Sequence, residues 1–164
     1  MADTVSIVQH EVIAHTQVSS TAVELEEVGF ALADDEAVRL LSFDFMIQAL
    51  STTNDDALYA ALFDIDDNPP ARTVAAGQLG AGPITDDVIW SPRVVKDTIT
   101  SGRENVNYEF HRDLPGDGIL IAHDMNIGFI SNNVGGVMGA RVFYEVVRLD
   151  DRELVSLVAR RRAR

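Results

Sequence analysis

Hydrophobic and polar residues alternate through most of this chain, in short runs separated by clusters of Gly, Pro, Asn, Asp and Ser. A two-residue period puts successive side chains on opposite faces of an extended strand, so the pattern predicts a domain built mostly of half-buried strands. The clearest signal lies in residues 118–164. Two long strands, ILIAHDMNIGFIS and ARVFYEVVRL, are joined by a Gly/Asn-rich connection and followed by a short helix, RELVSLVARRR. In the last strand Val142, Tyr144 and Val146 share one face, and Arg141, Phe143, Glu145 and Val147 the other. Asp150 or Asp151 caps the helix, whose apolar stripe is Leu154, Leu157 and Val158.

Upstream, VSIVQHEVI (residues 5–13) and TAVELEEVGFAL (residues 21–32) read as strands, with a polar turn at Asp34, Asp35 and Glu36. AVRLLSFDFMIQAL then places Val38, Leu40, Ser42, Asp44, Met46 and Gln48 on one face and Arg39, Leu41, Phe43, Phe45, Ile47 and Ala49 on the other. The second set is the expected buried face; a helix is disfavoured because Phe43, Phe45 and Ile47 would scatter around it. Residues 51–56 read as a loop, and ALYAALFDI fits either helix or buried strand. Residues 66–87 hold three of the five prolines and three of the eleven glycines, the composition of a long surface excursion. VIWSPRVVKDTITSG returns to strand character, with Pro92 suiting an edge or a bend. NVNYEFHRDL is a one-sided strand, closed by the turn cluster Pro115-Gly-Asp-Gly118. Roughly seven to nine short strands without helix–strand alternation predict an all-β fold, an antiparallel β-sandwich or single jelly roll with a short C-terminal helix. One domain spans residues 1–164, with the helix and basic tail at about 150–164.

Charge sharpens this picture. The formal net charge is −13, yet residues 160–164 hold four arginines and no acid. Without them the chain has nine basic against 26 acidic residues, a balance of −17. Such a body repels nucleic acid and acidic membranes, so nucleic acid would be reached only through the C-terminal arginines. Lys96 is the only lysine; an Asp-rich, Lys-poor composition fits either a saline habitat or a GC-rich genome. No cysteine is present, which removes disulfides and thiol nucleophiles. The N-terminal residues lack the basic flank and apolar core of a signal peptide, and no apolar run reaches the ~20 residues of a membrane span.

No catalytic constellation stands out. His10 and His15 are five apart and face opposite sides of a regular strand, while His111 and His123 are isolated. A cupin-like metal site needs two His at i, i+2 facing one cavity, so surface or hydrogen-bonded histidines are expected instead. Asp64, Asp66 and Asn68 imitate the start of an EF-hand, but Pro69 replaces the turn glycine and Ala75 the final carboxylate. Gly135, Gly136 and Gly139 lack the Lys-Ser/Thr of a phosphate loop and read as a strand connection. Ser19, Ser42, Ser91 and Ser131 lack the Gly flanks of a nucleophile elbow. These residues therefore predict no enzyme, no cofactor and no metal. The sharpest feature is the tail: Arg160, Arg161, Arg162 and Arg164 serve as cations at a helix C-terminus, dock on an acidic neighbouring subunit, or touch phosphates.

The strand series, the excursion at residues 66–87 and the ARVFYEVVRL strand with its DDRELVSLVARRR ending resemble the single jelly-roll capsid proteins of small icosahedral viruses and tailless phages. The resemblance implies a virion structural protein, a capsid subunit that self-assembles into an icosahedral shell in the host cytoplasm and resides in the virion. Its partners would be copies of itself and other virion proteins. Capsid proteins of this class often carry an N-terminal basic arm, whereas here the basic segment is C-terminal. Subunit contacts are expected at the tail arginines and at Leu79, Ile84 and Trp90, read as exposed apolar loop residues. The alternative is a β-sandwich binding module, lectin-like or a spike or decoration protein, and after it a cupin-type metalloenzyme.

Overall fold

A computed structural model describes residues 3–4, 8–16, 18, 24–49, 55–63, 88–90, 92–96, 108–131 and 137–162. In chain order they form β1 (Asp3–Thr4), β2 (Gln9–Thr16), β3 (Glu24–Val28), β4 (Glu36–Ala49), β5 (Asp55–Phe63), β6 (Val88–Trp90), β7 (Arg93–Lys96), β8 (Tyr108–Asp113), β9 (Ile119–Ile121), β10 (Met125–Ser131), β11 (Val137–Arg148) and α1 (Asp151–Arg162). Three lanes are split between two short strands: β1 with β2 beside β11, β6 with β7 beside β5, and β8 with β9 beside β4. The described strands therefore make two antiparallel four-lane sheets, β1/β2–β11–β4–β8/β9 and β3–β10–β5–β6/β7. The first lane in sequence pairs with the last, the second with the second-last, and so on inward to β5 with β6/β7. This nested pairing is a ribbon wound on itself, a single jelly roll, one of the two all-β arrangements expected from the alternation.

The inward faces meet in one apolar layer. Phe43, Phe45, Phe129, Leu40, Met125, Ile127 and Met138 are fully buried, and Val38, Ala140, Val142 and Tyr144 complete the layer. Burial of each large apolar side chain stabilises the fold by about 1.5–3 kcal/mol. Tyr144 keeps its hydroxyl at the margin, donating to Gln9 Oε1 at 3.2 Å, while its ring edge meets Phe30.

The strands depart from the expected pattern at four places. In β4 the side chains packed in the main core are Val38, Leu40, Phe43 and Phe45, so the face expected for Val38 and Leu40 is reversed. The pairing with β11 slips where Phe143 opposes Ser42 and Tyr144 opposes Leu40, which leaves Leu41 as the extra residue of a β-bulge. ILIAHDMNIGFIS is two strands rather than one. It bends at residues 122–124 as the chain leaves β4 for β5 and β3, and Asp124 Oδ1 fixes the bend by accepting from the Phe30 N–H at 2.9 Å. ALYAALFDI resolves as strand β5, which starts at Asp55 inside the expected loop. Pro92 separates β6 from β7 on an edge lane, as expected, and Val137–Gly139 belong to β11 rather than to the glycine connection. The excursion at residues 66–87 lies outside the described residues.

The helix begins with a reciprocal cap. Asp150 Oδ1 accepts from the Glu153 N–H at 2.8 Å, and Glu153 Oε2 accepts from the Asp150 N–H at 3.3 Å. Leu154 and Leu157 pack on a second apolar cluster of Ala37, Val147 and Leu149, joined by Leu120 and Ala122. The helix thereby covers one end of the outer face of the first sheet.

Candidate functional site

The interior is filled by apolar side chains, and two histidine–carboxylate clusters stand out among the described residues, one on the outer face of the first sheet and one between β2 and β3. Beyond the helix-covered end, cross-strand register lays that face out in rows. Val12, Arg141, Asp44 and His111 stand side by side, and His10, Phe143, Ser42 and Asp113 form the next row. Asp44 is buried even though its strand face is outward, because Arg141 and His111 fold over it from the flanking strands. His111 Nδ1 lies 2.6 Å from Asp44 Oδ1, and Nε2 lies 3.0 Å from Asp113 Oδ1. The hydrogen bond with Asp44 first, and that with Asp113 second, raise the His111 pKa above its ordinary value. Arg141 Nη1 sits 3.8 Å from the other Asp44 oxygen. Closer to the helix, Arg39 and Glu145 form a half-buried ion pair.

A second cluster closes one open side of the sandwich. His15 on β2 stacks on Phe129 with ring centroids 5.0 Å apart and reaches across to β3. Its Nδ1 lies 2.7 Å from Glu26 Oε1 and its Nε2 2.5 Å from Glu24 Oε2. Glu24 also accepts from the Val18 N–H at 3.0 Å. In both histidine clusters the carboxylates bind opposite sides of the ring, so their oxygens do not converge on a common point. Among the described residues no group of three or more His, Asp or Glu side chains forms a metal site.

Beside α1, a shallow depression of about 460 Å³ is lined by Leu120, Leu149, Asp150, Arg152, Glu153, Ser156 and Leu157. Charged and apolar residues share its walls, no histidine lines it, and its two carboxylates, Asp150 and Glu153, are engaged in the helix cap.

Of the residues singled out by sequence, Arg160, Arg161 and Arg162 form the last turn of α1. Trp90 lies in β6, half-buried, with its indole 5.2 Å from Phe45, so part of its surface belongs to the chain's own core. Trp90 is thus in the second sheet while α1 rides on the outer face of the first, and the structure does not bring these two groups together. Leu79, Ile84 and Arg164 lie outside the described residues. The Arg141–Asp44–His111 row was missed by sequence reading. Its one local signal is an Asp between two buried phenylalanines, since the partners are contributed by strands 67 and 97 residues away.

Among the described residues no helix is long and apolar enough to cross a membrane. No family model matches the chain, and no curated protein matches it. A solved structure of dimeric latent PorU from Porphyromonas gingivalis is similar at 11% identity and a TM-score of 0.34, over 88% of this chain and 13% of that one. This chain spans about an eighth of that protein, and so distant a likeness carries nothing about function.

Proposed function

We propose that this chain is a virion structural protein, a non-enzymatic capsid subunit that assembles with copies of itself into an icosahedral shell. The observation that carries the reading is the nested strand order around a filled interior. The space between the sheets, where a cupin-type enzyme would hold its metal, is occupied by Leu40, Phe43, Phe45, Met125 and Phe129. A jelly roll serves binding and catalytic proteins as well as shells, so the packed interior and the outward placement of polar residues support the choice rather than the fold by itself. The opposed charges of body and tail favour contact between copies, with the terminal arginines of one copy meeting the acidic surface of another. Such a subunit would reside in the virion after assembly in the host cytoplasm.

Electron microscopy of the concentrated protein in molar salt tests this. Closed particles of uniform diameter are expected. A field of monomers that instead bind on a glycan array would replace the reading with the lectin-like one.

A further inference from the structure

Four edges bound the two sheets, and three carry features that discourage strand addition. Edge strand β3 places Glu24, Glu26 and Glu27 within five residues. β6 and β7 are three and four residues long, are interrupted at Pro92, and include Arg93 and Lys96. β8 carries Glu109, His111, Arg112 and Asp113, and its lane partner β9 has only three residues. Charge, proline and shortness are the usual protections of exposed strand edges.

The fourth edge is β1 with β2, and its main strand β2 is the least protected of the four. It runs eight residues with no proline, glycine, lysine or arginine, and Glu11 is its only acid. It pairs with β11 from Gln9 to Thr16 without a register shift, so no bulge twists it away. Six of its eight residues are exposed, and Val12 stands 56% exposed on the outer face. No other described strand pairs with it. A strand bonded on one side leaves alternate N–H and C=O groups directed outward, free to continue the ladder.

We propose that β2 is a self-association edge, where two copies of this chain pair β2 with β2 antiparallel about a two-fold axis and join their first sheets into one. This deepens the self-assembly reading and rests on it. A second copy fits because of what the strand lacks and how it matches itself. Like faces meet only when the two-fold axis passes through a residue, since side chains alternate with period two. With Val12 on the axis, Val12 meets Val12, Glu11 meets Ile13, His10 meets Ala14 and Gln9 meets His15, so no acid stands directly opposite another. The same operation on β3 about Glu26 sets glutamate on glutamate. A pair of strand edges buries less than the ~1,000 Å² of a stable complex, so this contact is weak alone and is reinforced by closure of a shell. Copies carrying −13 each repel, so pairing strengthens with salt.

The chain has no cysteine, so Val12→Cys introduces a single thiol on the axis. Directly opposed residues in an antiparallel pair lie ~4.5–5.5 Å apart at Cα, within disulfide range. Under mild oxidation in salt, Val12→Cys should cross-link to a covalent dimer several-fold faster than Val155→Cys, a control 67% exposed on the helix. Val12→Lys should weaken self-association at least tenfold by sedimentation and leave the thermal midpoint of the monomer within about 2 °C of wild type, as expected of an exposed site. Equal cross-linking of the two cysteine variants, or unchanged association of Val12→Lys, would overturn the edge while leaving assembly by other surfaces intact. A wild-type chain that stays monomeric throughout would overturn both.

Discussion

Adding one methyl group at Gly118 should cost several times what it costs at Gly116, two residues earlier in the same turn. Both glycines have positive φ, +64° at Gly116 and +85° at Gly118, so alanine at either position loses about 1 kcal/mol to backbone conformation alone. They differ in what surrounds them. A Cβ at Gly116 meets nothing within 4 Å. A Cβ at Gly118 would lie 2.2 Å from the Leu40 carbonyl oxygen and 3.1 Å from Arg39 Cγ. Because the obstacle is backbone, relief requires moving the turn away from β4 by about 1 Å, a displacement that forfeits much of the local contact energy. The pairs Leu40–Ile119, Arg39–Leu120 and Val38–Ile121 hold β9 to β4 and keep Ile121 3% exposed. Losing one or two of those hydrogen bonds at about 1 kcal/mol each, with partial exposure of Ile121, brings the total to about 3–4 kcal/mol. Urea denaturation under monomeric conditions measures both variants against wild type. At about 2–4 °C per kcal/mol, thermal midpoints should fall by about 3 °C for Gly116→Ala and about 10 °C for Gly118→Ala. Equal losses would refute the reasoning, because they would mean the β9–β4 contact exerts no steric constraint.

The raised pKa of His111 predicts a pH dependence of stability. A group protonated more readily when folded contributes fully below its unfolded pKa, about 6.5, and loses that contribution as pH rises through the folded value. The thermal midpoint of wild type should therefore exceed that of His111→Gln at acidic pH, with the gap closing above neutrality; a gap that widens with pH would refute this. Asp150→Ala should lose about 1 kcal/mol of helix stability by removing the reciprocal cap, read as faster amide exchange throughout α1 with the β11 amides unchanged. Replacing Arg160, Arg161, Arg162 and Arg164 with Gln should weaken self-association roughly tenfold at low salt and less at high salt, as a set of exposed ion pairs would. An unchanged association constant would mean the tail is merely solvated.

The strands were legible where residues alternate by twos, as in β11, where Val142 and Tyr144 share a buried face after being read as sharing one. They were legible at Pro92 too, because proline cannot donate to a ladder and so marks an edge. Legibility failed where the period itself slips. The apolar positions 38, 40, 43 and 45 step by three across Leu41, and a reader counting by twos carries the wrong face upstream. The break at residues 122–124 was hidden for another reason, since it depends on which strands β9 and β10 pair with, and pairing partners leave no local trace. The same holds for the histidine clusters. His15 meets Glu24 and Glu26 across the gap between sheets, and His111 meets Asp44 through a register 67 residues long. Their residue types were visible, but only topology joins them.

The central claim, a subunit built to meet copies of itself, is tested most directly by the mass of the purified chain in solution across protein and salt concentration. Light scattering should give a mass that climbs with both, as screening removes the repulsion between chains of net charge −13 and weak edges begin to close on one another. A mass fixed at that of one 17.9 kDa chain, up to the highest concentration and salt, would contradict it.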